Sequence, residues 1–282
     1  MTKVIDDREG TKAIWHKQAV RLRQLSKIYP GRTGQLTALQ HFSCDIAEGE
    51  FAIILGPSGC GKSTVVRIIA GLEQPTSGTV LIHGQSVPDP GKTCSMVFQS
   101  YTSFPWLTVV ENIEFGLCYI SNRTKQQRRE RARELALMVG LEKFENAYIN
   151  QLSGGMKQRV AIASALATDP KILLMDEPFG ALDSQTRMAM QEHLLKITEQ
   201  SDKTVVFVTH DIEEALLLGD RIYVCTGRPG KILAELDVPF SYPRTSGVRN
   251  EKKFAEMKYE IFHLLRDDVY AQMLGGSNGR LR

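Results

Sequence analysis

The residues Gly56–Thr64 read Gly-Pro-Ser-Gly-Cys-Gly-Lys-Ser-Thr. Gly56, Gly61, Lys62 and Ser63 fall on the fixed positions of the phosphate-binding pattern G-x-x-x-x-G-K-[ST]. Glycines here let backbone N–H groups turn inward and come close to phosphate oxygens. Lys62 would reach the β- and γ-phosphates, and the Ser63 hydroxyl would ligate Mg²⁺. Further chemistry-bearing residues lie downstream. Asp176 and Glu177 follow an apolar run: the first suits a metal-ligating carboxylate, the second a base for water attacking a γ-phosphate. Gln99 follows another short strand, where an amide can touch both Mg²⁺ and that water. Ser153-Gly154-Gly155-Met156 opens a second glycine-rich helix, offering N–H groups to phosphate without the Lys-Ser pair. His210 follows a β-branched run and is a candidate γ-phosphate contact.

These residues need elements to hold them. Phe51–Leu55 is a short apolar run suited to a buried strand, and Val65–Ala70 continues a helix. Strand, glycine loop and helix form the context a phosphate loop requires. Val20–Leu25, Leu36–Leu39, Phe42–Ile46 and Thr79–His83 read as strands of a small β-layer, with a turn at Pro30-Gly31. Thr93–Phe98 reads as a strand, Val109–Leu117 and Thr124–Val139 as helices. The second of these is basic. A solvated face, with Leu135, Leu137 and Met138 toward the core, explains it better than nucleic-acid binding does. Helix then runs from Ser153 to about Ala167, strand over Lys171–Asp176, helix over Gln185–Thr198 and strand over Thr204–Val208. Helix over Ile212–Leu218 and strands over Arg221–Cys225 and Lys231–Leu236 complete the alternation, which predicts an α/β fold with a parallel sheet. A helical insert over 101–160 interrupts it. In the tail after Pro239, Phe254, Met257, Ile261, Leu264 and Leu265 recur at helical spacing and predict one amphipathic helix.

The bulk properties narrow the function. The chain has 282 residues, 42% hydrophobic and 24% charged, with a formal charge of +3. That charge is too small to argue for a nucleic-acid partner. No run approaches the roughly 18 apolar residues of a membrane span, and the N-terminus lacks the apolar stretch of a signal peptide. A cytoplasmic protein is expected. The five scattered cysteines include no C-x-x-C pair, which argues against a disulfide framework and a zinc site. Cys60, inside the phosphate loop, reads as a small residue that fits there.

Taken together, these motifs resemble the ATP-binding subunit of ABC transporters over roughly residues 20–235. Gly56–Thr64 matches its Walker A motif, Gln99 the Q-loop, Leu152–Met156 the signature, Ile172–Asp176 Walker B and Glu177 the catalytic glutamate. Ala181-Leu182-Asp183 matches the D-loop, His210 the switch histidine, and Tyr29 the aromatic residue that stacks on adenine. The signature departs from the family's usual Gln by carrying Met156. The resemblance implies ATP and Mg²⁺ as cofactors. Catalytic residues would be Glu177, His210 and Gln99, and metal ligands Ser63, Gln99 and Asp176. Nucleotide would be bound by Tyr29, Gly56, Pro57, Ser58, Gly59, Cys60, Gly61, Lys62, Ser63 and Thr64, together with Ser153, Gly154 and Gly155. It also implies a P-loop NTPase (RecA-like) α/β core with an N-terminal antiparallel β-subdomain and an inserted α-helical subdomain. The expected layout is an N-terminal arm (1–19), an ABC ATPase domain (20–238, split at 100 and 160) and a C-terminal tail (239–282).

A head-to-tail dimer, most simply a homodimer, follows from the same resemblance. So do separate membrane permease subunits, and a periplasmic or lipoprotein solute-binding protein acting indirectly. The chain would sit peripherally on the cytoplasmic face of the inner membrane. The segment 100–107, with Tyr101, Phe104 and Trp106, would face the permease. Phe104–Val109, Phe179–Asp183 and Thr226–Lys231 look like the nitrate, sulfonate, taurine and bicarbonate import branch. The alternative is a soluble non-transport ABC ATPase of DNA repair or translation. The gap between Gln99 and Ser153 is too short for coiled-coil arms, and one cassette rather than two argues against the translation class.

Overall fold

The computed structural model describes residues 17–31, 34–86, 93–100, 102–120, 123–199 and 203–275. In chain order the strands and helices are β1 (Gln18–Gly31), β2 (Gly34–Ala47), β3 (Phe51–Leu55), α1 (Lys62–Ile69), β4 (Ser77–Ile82), β5 (Gln85–Ser86) and β6 (Cys94–Val97). There follow α2 (Val109–Ile120), α3 (Lys125–Met138), α4 (Gly154–Ala167), β7 (Ile172–Asp176), α5 (Ser184–Glu199) and β8 (Thr204–Thr209). The chain continues with α6 (Ile212–Leu218), β9 (Arg221–Cys225), β10 (Ile232–Asp237) and α7 (Lys252–Gly275).

Two sheets result. The first is antiparallel with order β2-β1-β4-β5; the second has order β10-β9-β3-β8-β7-β6 and is parallel except for β10. β3, β7 and β8 are buried at every position, as expected for parallel strands covered on both faces. Their alternation sorts the core. Ala52, Ile54, Val206 and Val208 pack with Val65, Ile69 and the antiparallel sheet. Ile53, Leu55, Val205 and Phe207 pack with residues of α2 to α7. The Tyr223 hydroxyl ties the layers by donating to the Asp45 carbonyl at 2.5 Å.

Several expected boundaries shift. The two short strands expected at 36–46 are one strand, β2. Its pairing with β1 slips at several points, and Gln24 and His41 adopt φ of 49° and 52°, which marks bulges that a strict period of two does not capture. Pro30 and Gly31, expected as a turn, are the last residues of β1, paired with Gln35 and Gly34. Pro30 is tolerated because β4 pairs with β1 only as far as Ser26, so on the edge away from β2 no strand lies there to miss the N–H. Leu137, expected in the core, is 62% exposed. The apolar stripe of α3 runs through Ala132, Leu135 and Ala136, one helical face. β1 begins inside the stretch expected as a loose arm, of which residues 1–16 lie outside the described residues, as does Tyr101.

The segment after β10 packs tightly. Arg244 is 5% exposed, donates to the Phe240 and Gly219 carbonyls and pairs with Asp220 at 3.0 Å. Phe254, Met257 and Ile261 of α7 are buried in the same core cluster as β3 and β8.

Candidate active site

The register of the parallel sheet assembles the site. Leu55 pairs with Thr209, and Asp176 with Val208, so the chain leaves three adjacent strands at one level. Backbone bonds join the exits: Gly56 N–H to the Thr209 carbonyl at 3.4 Å and Glu177 N–H to the Val208 carbonyl at 3.0 Å. Gly56, Glu177 and His210 therefore meet at the C-terminal edge of the sheet, where open α/β sheets bind ligands.

The phosphate loop wraps from β3 to α1. Gly61 takes φ +99° as it caps α1, and an added Cβ would lie 2.7 Å from Leu39 Cδ2 and 2.8 Å from the Ala38 carbonyl. Only glycine fits both constraints. Lys62 is buried and folds back along the loop, its Nζ donating to the carbonyls of Gly56 at 2.8 Å and Pro57 at 2.9 Å. Ser63 Oγ donates to Asp176 Oδ1 at 2.9 Å. Burial pushes the Asp176 carboxyl up; the Ser63 bond opposes this and the neighbouring Glu177 charge reinforces it. Burial likewise pushes up the Cys60 thiol, so this cysteine does not carry the features of a reactive one. Tyr29 OH lies 3.3 Å from Thr64 Oγ1, which sets its ring beside the end of the loop.

Glu177 is the hub. Its carboxylate lies 3.8 Å from Lys62 Nζ and 3.3 Å from His210 Nδ1, and accepts from Gln99 Nε2 at 3.3 Å. Its φ of +46° is a left-handed conformation that a non-glycine residue holds only when its surroundings enforce it. Ser153 stands apart from this group. It caps α4, accepting from Met156 N–H at 3.3 Å, and Ser153 and Gly154 are exposed. Gly155 abuts Leu182, which puts the signature motif beside Ala181–Asp183. Met156 packs partly buried on the core, which accounts for an apolar side chain at that position.

Sequence reasoning did not find the support beneath His210. Thr209 Oγ1 donates to Glu214 Oε2 at 2.5 Å, and Gln191 Nε2 donates to Glu214 Oε1 at 3.0 Å. Arg249 Nη2 in turn donates to Gln191 Oε1 at 3.3 Å. Nor did it find Arg228, whose guanidinium reaches the Gly59 carbonyl. The turn Thr226–Lys231 was the only signal there.

The ABC transporter family model matches residues 39–180, just over half the chain, spanning the phosphate loop, Ser153–Gly155 and Glu177. This chain belongs to the ABC transporter family. A nitrate import ATP-binding protein of Synechocystis sp. is 45% identical over 251 residues, covering 87% of this chain and 94% of that protein. An aliphatic sulfonates import ATP-binding protein of Bacillus cereus is 42% identical over 242 residues, covering 86% and 94%. A solved dimeric structure of an ATP-binding cassette in a post-hydrolysis state, bound to ADP and Pi, superposes with a TM-score of 0.73. It is 39% identical and covers 79% of this chain and all of that one. The fold is that of the ABC ATPase cassette, a P-loop NTPase, and the protein is an ATPase coupled to transport.

Proposed function

We propose that this chain is the ATP-hydrolysing subunit of an importer for a small anion of the nitrate, sulfonate or bicarbonate type. It works as a head-to-tail dimer beneath a separate membrane permease, with a solute-binding protein acting indirectly. The observation that carries the hydrolytic half is Glu177, held by three partners and placed beside Lys62. In this reading Lys62 leaves the loop carbonyls to bind the β- and γ-phosphates, Glu177 takes the proton of the attacking water, and Gln99 and His210 orient that water and the γ-phosphate. Ser63 and Asp176 are hard oxygen donors already 2.9 Å apart, and the buried carboxylate beside Glu177 calls for a cation. With the Gln99 amide oxygen they would hold Mg²⁺, which neutralises charge building on the phosphates.

Permease docking falls to a groove of about 480 Å³ between the sheet edge and α2, lined by Met96, Phe98, Phe104, Phe115 and Tyr119. No helix among the described residues is long and apolar enough to cross a membrane, which fits a subunit lying peripherally on the cytoplasmic face. The relatives named for nitrate and for sulfonates support the import branch.

The test is Glu177→Gln. ATP binding should persist and hydrolysis should fall by about 100-fold or more, the range for loss of a positioned base. Closed dimer should accumulate on ATP, seen by light scattering. Normal turnover would remove Glu177 from the role. For the import half, the tagged protein should co-purify with a permease, and nitrate or a sulfonate with its binding protein should stimulate ATPase. Tight nucleic-acid binding without a membrane partner would overturn it.

A further inference from the structure

The hairpin between β9 and β10 lies against the back of the phosphate loop. An added Cβ on Gly230 would sit 2.0 Å from the Cys60 carbonyl oxygen, so the two backbones touch without room for a side chain. Gly230 also bridges to β2, donating to the Ala38 carbonyl at 2.9 Å and accepting from Gln40 N–H at 3.0 Å. At the hairpin's tip, Arg228 Nε and Nη2 both donate to the Gly59 carbonyl, each at 3.1 Å. The adjacent Gly227 is buried, and its N–H donates to Asp268 Oδ2 of α7 at 2.7 Å.

We infer that Arg228 is a positioning residue for nucleotide binding and that Asp268 holds Arg228's turn in place, so that the C-terminal helix supports the phosphate loop. The inference rests on the nucleotide reading of that loop. The physical reason lies in one peptide unit. In a trans peptide the carbonyl of Gly59 and the N–H of Cys60 point in opposite directions. A guanidinium that pins the carbonyl outward therefore pins the N–H inward, where a phosphate cradle needs it. There the Cys60 N–H makes a long bond of 3.4 Å to the Pro57 carbonyl, one that a phosphate oxygen can replace. The positive charge behind the carbonyl also polarises that peptide toward an anion. Because this arrangement exists before nucleotide arrives, its loss weakens binding of substrate and transition state alike, raising KM and leaving kcat.

The experiment measures Kd for ADP, ATPase KM and kcat, and melting temperature on the full chain. Arg228→Ala should weaken ADP binding and raise KM by roughly 3- to 10-fold, the net worth of one solvent-exposed hydrogen bond. Its kcat should stay within about twofold, as befits uniform binding. Arg228→Lys keeps the charge but not the pair of N–H donors and should recover part of the affinity. Asp268→Ala should weaken ADP binding in the same direction, and Asp268→Asn, which keeps an acceptor oxygen, should restore it. Lys231→Ala, on the same hairpin, should bind ADP as the wild type does. Wild-type affinity in Arg228→Ala overturns the inference. A lowered melting temperature in Asp268→Ala with unchanged Kd overturns the part assigned to α7. Failure of the wild-type protein to bind ADP would sink the nucleotide reading itself, a distinguishable result.

Discussion

At the scale of single residues, Glu214 shows how support for the site can be tested by pH. It is 6% exposed and accepts hydrogen bonds from Thr209 and Gln191. Burial pushes its carboxyl up; the Thr209 and Gln191 bonds oppose this and the Asp211 charge adds to it. The sign follows from linkage. The folded protein keeps this proton to higher pH than the unfolded chain, whose glutamates titrate near about 4.3. Stability from this group is thus greatest below the unfolded value and is lost as pH rises through the folded one. Glu214→Gln removes the charge and keeps an acceptor. Its melting temperature relative to wild type should rise between pH 4 and pH 7, read by calorimetry; a gap that stays flat or narrows would contradict the assignment. Glu214 and Gln191 were not legible in the sequence, because their bond joins positions 23 apart on two helices that only the fold brings together. Lys62, Ser63, Asp176 and Glu177 were legible as candidates. Their types follow from phosphate and metal chemistry, and each sits at a strand or helix end that the local pattern marks.

At the scale of elements, hydrophobic runs of five or six residues located β3, β7 and β8, because strands covered on both faces are apolar throughout. β1 and β2 were harder: their bulges break the alternation on which a strand reading depends. Leu137 was misplaced because counting apolar residues in α3 does not say which side a given one faces. The segment before α2 makes an element-scale prediction. Trp106 is 69% exposed and Tyr119 77%. Between them runs a chain of rings, Trp106 to Phe104 at 5.4 Å, Phe104 to Phe115 at 4.5 Å and Phe115 to Tyr119 at 5.3 Å. A row of aromatics with both ends exposed beside an apolar groove is what an interface anchor looks like. Trp106→Ala should weaken permease association by about 2 kcal/mol, the scale of an interface hot spot. Pull-down against permease in detergent, alongside ADP titration, is the check. Equal loss of nucleotide affinity would assign Trp106 to internal packing instead.

At the scale of the whole molecule, the sequence showed two glycine-rich helix starts but not their spatial relation, which depends on how α4 is mounted. Arg159 fixes that mounting by donating to the Val139 and Gly140 carbonyls, so the start of α4 is carried by the α2–α3 layer. The tail was legible as one amphipathic helix. Its stripe was legible as a packing face, and Phe254, Met257 and Ile261 are in the core; the anchor before the helix was not, because Arg244 in a polar stretch gives no sign that it will be buried against Asp220. Glu177 is gathered with Lys62, Gln99 and His210, while Ser153 and Gly154 are exposed, so one chain presents the phosphate-loop cluster and, elsewhere on its surface, a second glycine-rich helix start. In the proposed two-fold dimer each would meet the other's complement, giving two composite sites. Lys62→Ala disables the first wall and Ser153→Arg the second, and each homodimer should be inactive. In a mixed dimer one site carries both defects and the other carries neither. Mixing equal amounts should therefore restore ATPase to about a quarter of wild type, since half of randomly formed dimers are mixed and each has one intact site. If each chain's site were complete in itself, mixing would restore nothing. A steady-state ATPase assay on the two purified variants, alone and after exchange, separates the cases without any membrane partner.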